Sequence, residues 1–161
     1  MSKRCQLPFG HLEYFLYNRS MKKLLFKTTL ESSNVNEFSL TFLRVLVGLT
    51  MAFSHGLGKV PPPEMLVQGV AHLGFPMPEF FAWAAGLSEF AGGILLALGL
   101  LTRPAAFFLS FTMLVAVLGV HWADPFSAKE MGLLFFTIFS VFVIRGSGKW
   151  SLDYLLCKCK R

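Results

Sequence analysis

The chain is predicted to be an all-α membrane protein: a polytopic four-helix bundle with a short interfacial helix between helices 1 and 2. Three observations predict it. Hydrophobic residues make up 54% of the 161 residues and charged residues only 15%, where a soluble domain carries about 25% charged residues. Four apolar runs follow one another, broken by prolines, glycines and charges. The net charge of +6 is carried almost wholly outside those runs, as membrane flanks require. That placement, with no DNA- or RNA-binding motif, points to the lipid bilayer as partner and away from nucleic acid.

Residues 1–37 form a basic, polar arm with no sustained apolar period. Met21-Lys22-Lys23-Leu24-Leu25-Phe26 opens like a secretory signal, but Lys27 ends its apolar part after three residues, so it does not read as one. Met21 is expected to be the native start, with residues 1–20 as upstream sequence.

The first span covers residues 38–57. Arg44, Gly48, Met51, Ala52 and His55 fall close to one helical face, a candidate polar column. Two readings stand for Arg44, snorkelling to the interface or joining that column; His55 is either an ordinary interfacial residue or part of a site. Pro61-Pro62-Pro63 stops the helix. Leu66, Gly69, Val70 and Leu73 then share a face, which predicts a short helix on the membrane surface, ended by Gly74.

The second span, residues 79–101, holds the residue of greatest interest. From Phe80 to Leu101 the only charge is Glu89, near the middle of the run. A carboxylate at that depth costs about 2.5–3.5 kcal/mol or more, so it faces protein or water and not lipid. Its helical neighbours Ala85, Gly86, Gly92 and Gly93 are small enough for another helix to approach closely. Glu89 is thus either a carboxyl that fixes packing or a functional group. We expect it to be neutral and hydrogen-bonded, because Arg44 stands roughly 8 Å away in depth on helix rise alone.

Thr102-Arg103-Pro104 turns the chain into the third span, residues 104–122, which ends at His121-Trp122 before Asp124-Pro125. The fourth, residues 128–145, contains the shortest apolar run, Met131–Ile144, for which a re-entrant segment is the alternative. Gly146-Ser147-Gly148-Lys149 lacks both the earlier glycine and the following Ser or Thr of a phosphate-binding loop; Lys149, Trp150 and Tyr154 fit an interfacial belt. Residues 155–161 are a basic tail.

Twelve of the fifteen Lys and Arg residues lie before the first span, in the second-to-third turn, or from Arg145 onward. This asymmetry predicts a bacterial cytoplasmic (inner) membrane protein with both termini in the cytoplasm. Cys5, Cys157 and Cys159 all lie outside the spans, which argues against intramembrane dithiol chemistry, and no metal site is expected.

Arg44, Gly48, His55-Gly56-x-x-Lys59, Leu73-Gly74-Phe75-Pro76-x-Pro78, Glu89-x-x-Gly92-Gly93 through Thr102-Arg103, His121, and Gly146-x-Gly148-Lys149-Trp150-Ser151-Leu152-Asp153 occur in this order. In these residues, from about Phe38 to Tyr154, the chain resembles the DoxX family of small four-helix bacterial membrane proteins. The resemblance implies the fold and the membrane location. It also implies association with thiol- and quinone-linked redox systems, since relatives include the membrane subunit of a thiosulfate:quinone oxidoreductase.

On this reading Glu89, with His55 and His121, forms a hypothetical proton-handling site, and Arg44, Gly48, Gly92 and Gly93 form the polar column and its packing surface. Quinone is the compatible cofactor. A haem b held by both histidines is the less favoured alternative, since two interfacial histidines on separate helices are commonplace. The sequence carries no flavin or iron–sulfur signature, so electrons would come from a redox partner protein; a homo-oligomer is the other partner considered. Two further functions stay open, a non-catalytic assembly or scaffold protein and, less favoured for want of an internal repeat, a small proton-coupled carrier.

Overall fold

A computed structural model describes residues 34–158. The readings of residues 1–20 and of Met21 as the start lie outside the described residues. Among those described, every regular element is helical. Helix α1 (Asn34–Thr50) continues without a break through a π-helical stretch, Met51–Gly56, and a 3-10 turn, Leu57–Lys59. Helix α2 (Glu64–His72) follows the prolines, α3 spans Pro78–Leu98, and α4 (Thr102–Val115) extends as a π-helical stretch over Ala116–Val120. Helix α5 is Phe126–Arg145 and α6 is Leu152–Lys158. Four of these stretches, Asn34–Lys59, Pro78–Leu98, Thr102–Val120 and Phe126–Arg145, are long and apolar enough to cross a membrane. Helix α5, the segment with the shortest apolar run, is one unbroken helix.

The connections follow from local chemistry. Gly74 (φ 78°) closes α2 in the left-handed region, and Pro78 occupies the first turn of α3, where its missing N–H is no loss. Helix α3 ends in a Schellman motif: Gly99 (φ 69°) donates to the Leu96 carbonyl at 3.0 Å and Leu100 to that of Leu95 at 3.0 Å.

Helix α3 is the centre of the bundle, packed on α1, α2 and α4, while α5 packs on α4. Val47 and Met51 of α1, Leu96 of α3, Ala106, Leu109 and Met113 of α4 and Phe135, Phe139 and Phe142 of α5 form the core. Large apolar side chains such as Phe42, Leu87, Phe107, Phe111, Leu134 and Ile144 remain exposed on the outer faces, as expected where the surroundings are lipid. The described chain begins and ends at the same end of the bundle, because Phe38 packs edge-on against Trp150 and Glu37 accepts from Lys149 N. We call this end the terminal face and the opposite one the loop face.

Candidate functional site

The crossing of α1 and α3 is built from glycines. A β-carbon on Gly48 would lie 2.6 Å from the Gly93 carbonyl oxygen, and one on Gly93 would lie 2.7 Å from that of Gly48. Further along, Gly56 rests against the backbone of Glu89 and Phe90, and Gly86 lies directly beneath the Lys59 carbonyl. The two backbones therefore touch along the whole stretch that carries Glu89. Gly92 is different: a β-carbon there would meet only the Leu109 side chain of α4, at 3.4 Å or more.

This close approach buries Glu89, which is 1% exposed, and brings Lys59 to it. Lys59 Nζ donates to both carboxylate oxygens, at 2.7 Å each. The arrangement is an ion pair, and it replaces the neutral, hydrogen-bonded carboxyl expected from the sequence. The reason lies in the end of α1. The π-helical stretch and the 3-10 turn carry the helix as far as Lys59, so a residue read as loop lies against Gly86 instead. Gly48, Ala52 and His55 stand at helical spacing with Lys59 four residues further on, but the proline run that follows gives no sign that the helix reaches it. The Lys59 side chain remains 33% exposed, so the pair is closed on the glutamate side and partly open on the lysine side.

The two histidines have other partners. His55 packs edge-on against Phe135, with ring centroids 5.4 Å apart. His121 Nδ1 shares a 2.7 Å hydrogen bond with Asp124 beyond the end of α4. No hydrogen bond or ring contact joins either histidine to Glu89 or to the other.

Arg44 does not join the Glu89 pair, and its side chain is enclosed by protein. It is 1% exposed, and its guanidinium donates to the carbonyls of Leu96 (3.3 Å) and Trp150 (2.8 Å). Its Nη1 occupies the space that a side chain at Gly99 would need. Two buried acidic residues at this end of the bundle had no role assigned from the sequence. Glu37 accepts from Lys149 N at 2.6 Å, and Asp153 accepts from Leu101 N at 2.8 Å and Thr102 N at 3.0 Å, capping α4 from more than fifty residues away. Asp153 N in turn donates to the Gly99 carbonyl at 2.9 Å. Arg44, Glu37 and Asp153 thus lock the segment after α5 onto the ends of α1, α3 and α4. This is a structural cluster, separate from the Glu89 pair.

Comparison with known proteins agrees with this architecture. The sequence model of the DoxX family matches residues 39–122, which include the α1–α3 crossing, Lys59, Glu89 and His121. An uncharacterized protein of Haemophilus influenzae is 36% identical over 124 residues, covering 72% of this chain and 89% of the relative. An uncharacterized membrane protein of Mycobacterium tuberculosis is 35% identical over 137 residues, covering 74% of this chain and 82% of the relative. The Bacillus subtilis protein named "Putative oxidoreductase CatD" is 29% identical over 126 residues, covering 78% of this chain and 92% of the relative. No solved structure matches. The chain, a membrane protein with four candidate spans, belongs to the DoxX family.

Proposed function

We propose that the protein is a membrane subunit or accessory of a thiol- or quinone-linked redox system, and that Glu89 is its intramembrane proton-handling group. The observation that carries this reading is the ion pair itself: a buried carboxylate midway along a span, joined to a single lysine that keeps one-third of its side chain exposed. Ionisable groups at such depth are expensive, and functional sites are where they concentrate. Quinone chemistry moves protons together with electrons. A buried carboxylate whose counter-ion is itself partly exposed can take up and release a proton by a shift of the lysine alone. The name of the Bacillus subtilis relative, at 29% identity, is consistent with the redox assignment. His55 and His121 carry less weight in this reading than Glu89 and Lys59.

The reading also places the terminal face in the cytoplasm and the protein in the bacterial inner membrane, supported by the sequence positions of twelve basic residues, before the first span, between the second and third, and from Arg145 onward. Labelling of a single cysteine at position 103 from the cytoplasmic side supports this orientation, and labelling from outside refutes it.

The competing reading is an assembly or scaffold protein. The backbone contact of Gly48 with Gly93, and of Gly56 with Phe90, favours it, since a sealed crossing is what rigid packing requires. Endogenous quinone separates the two. Quinone that co-purifies with wild type and is lost from a folded Glu89→Gln variant supports the redox reading. Equal amounts in both, or none in either, favours the scaffold.

A further inference from the structure

The spans do not all reach the loop face. The first one stops at Lys59, whose carbonyl lies directly against Gly86. Helix α3 begins at Pro78, eight residues earlier than Gly86. At 1.5 Å per residue the first span therefore falls about 12 Å short of the loop-face end of α3. The connection from residue 60 to residue 77 fills that level. Helix α2 packs on α3, and Leu73 just after it meets Gly119 near the loop-face end of the third span. None of the nine residues of α2 is buried. Above the end of the first span the bundle thus has a notch, covered by a short helix where a span would otherwise stand.

The Lys59–Glu89 pair lies at the floor of this notch, with the partly exposed lysine as its rim. The other side of the pair is built differently. Gly48 and Gly93 bring the two backbones into contact, and Met51, Ala52 and Leu96 are 0% exposed. Helix α3 carries no polar side chain from Phe90 to its end at Leu98. On α1 the hydroxyls between Arg44 and His55 belong to Thr50 and Ser54, both on the exposed side. Arg44 itself is turned to the Leu96 and Trp150 carbonyls. Toward the terminal face the pair therefore meets about 10 Å of sealed apolar packing, the rise of the seven residues from Glu89 to Leu96. The remaining acids and bases on the loop side are Glu64 and His72 of α2 and Glu79 of α3, all exposed, and His55, whose ring packs on Phe135. Residues 104–120 of the third span carry none.

We infer that the pair communicates with the loop face alone: water enters the notch above the end of the first span, reaches Lys59 and Glu89, and stops there. The Glu89 proton is then taken from the loop-face side and returned to it, and this chain carries no proton path across the membrane. A carrier requires the opposite, a site that faces each side in turn. The assignment of a proton to Glu89 rests on the functional reading above; the notch and the seal do not.

The test is thiol labelling of the full chain, with Cys5, Cys157 and Cys159 replaced by serine, in sealed membrane vesicles of both orientations. The reagent is the impermeant anion 2-sulfonatoethyl methanethiosulfonate, which reacts with thiols in water and not in lipid. Asn36→Cys and Gln68→Cys, both at exposed positions, mark the terminal and loop faces. Gly58→Cys is the reporter that disturbs the fold least, because a β-carbon there meets nothing within 4 Å. It should be labelled from the Gln68 side only, and so should Glu89→Cys, each about tenfold or more faster than the fully buried Met51→Cys. Labelling of either from the Asn36 side overturns the inference. So does a Gly58→Cys rate no higher than that of Met51→Cys, which would mean that lipid fills the notch. A labelled Gly58→Cys beside a folded but silent Glu89→Cys overturns it too, since water then stops short of the pair. If Glu89→Cys does not fold, Gly58→Cys decides alone. Co-purified quinone in Glu89→Gln separates this inference from the functional reading. One-sided labelling with quinone unchanged keeps the notch and removes the redox role. Quinone loss without labelling keeps the redox role and removes the notch.

Discussion

Lys59 reaches across from the end of α1 to hold both carboxylate oxygens of Glu89 at 2.7 Å, although the two residues are thirty positions apart in sequence. The partners differ in environment. Glu89 is 1% exposed, while the lysine side chain keeps 33%. Removing one partner of a fully buried pair costs about 3–5 kcal/mol, because the other charge is left unpaired. The difference in exposure makes that loss unequal here. In Glu89→Gln, Lys59 can turn its ammonium toward the open side, so destabilisation should fall below that range. In Lys59→Met, the carboxylate has nowhere to go, and destabilisation should reach it. The double variant should recover most of the loss. Thermal unfolding of the four proteins in one detergent checks this, and equal losses in the two single variants would contradict the asymmetry.

The glycines of α3 should likewise separate by partner. Gly93→Ala places a methyl group 2.7 Å from the Gly48 carbonyl oxygen and 2.9 Å from Ala52 N, backbone atoms that cannot move alone. It should destabilise by about 1–3 kcal/mol or more, as overpacking does. Gly92→Ala meets only the flexible Leu109 side chain, at 3.4 Å or more, and should be close to neutral. Melting temperatures of the two variants decide the matter. Equal effects would mean that the α1–α3 crossing is looser than the structure has it.

At the terminal face, Asp153 is the residue to change. Asp153→Ala withdraws the acceptors of Leu101 N and Thr102 N, leaving the α4 N-terminus uncapped. Loss of a cap together with an unsatisfied buried donor should cost about 2 kcal/mol or more. Ending the chain after Arg145 should do greater damage, since Arg44 also loses the Trp150 carbonyl and Glu37 loses Lys149 N. Detergent stability and the yield of folded protein measure both. A truncated chain as stable as the full one would show that the segment is not part of the fold.

These residues also show what could be read without coordinates. The four spans were legible because apolar length is set by bilayer thickness, and the turn into α3 because Gly74 and Pro78 carry backbone requirements that few other residues meet; the next turn, read at Thr102-Arg103-Pro104, lies instead at Gly99 to Leu101, and those three residues open α4. Glu89 was legible because one charge in twenty-two apolar residues has few innocent explanations. Its partner was not. A proline run after residue 60 suggests an early helix end, and nothing in Met51–Gly56 announces the π-helical stretch that keeps α1 going to Lys59. Glu37 and Asp153 were hidden for another reason. Both lie where polar residues are ordinary, and their roles exist only once chain segments about fifty to more than a hundred residues apart meet. The grouping of His55 and His121 with Glu89 assumed that one side of the membrane means one site. In the structure His55 packs on Phe135 and His121 bonds Asp124, and neither histidine bonds Glu89.

The central claim is that Glu89 is an ionised carboxylate held by Lys59. Infrared spectroscopy in the carboxyl-stretch region, on wild type minus Glu89→Gln in lipid at neutral pH, tests it most directly. The ion pair predicts a carboxylate band in the difference spectrum and no protonated-carboxyl band, with the protonated band emerging in Lys59→Met. A protonated-carboxyl band already present in the wild type would contradict the pairing and restore the neutral, hydrogen-bonded carboxyl in its place.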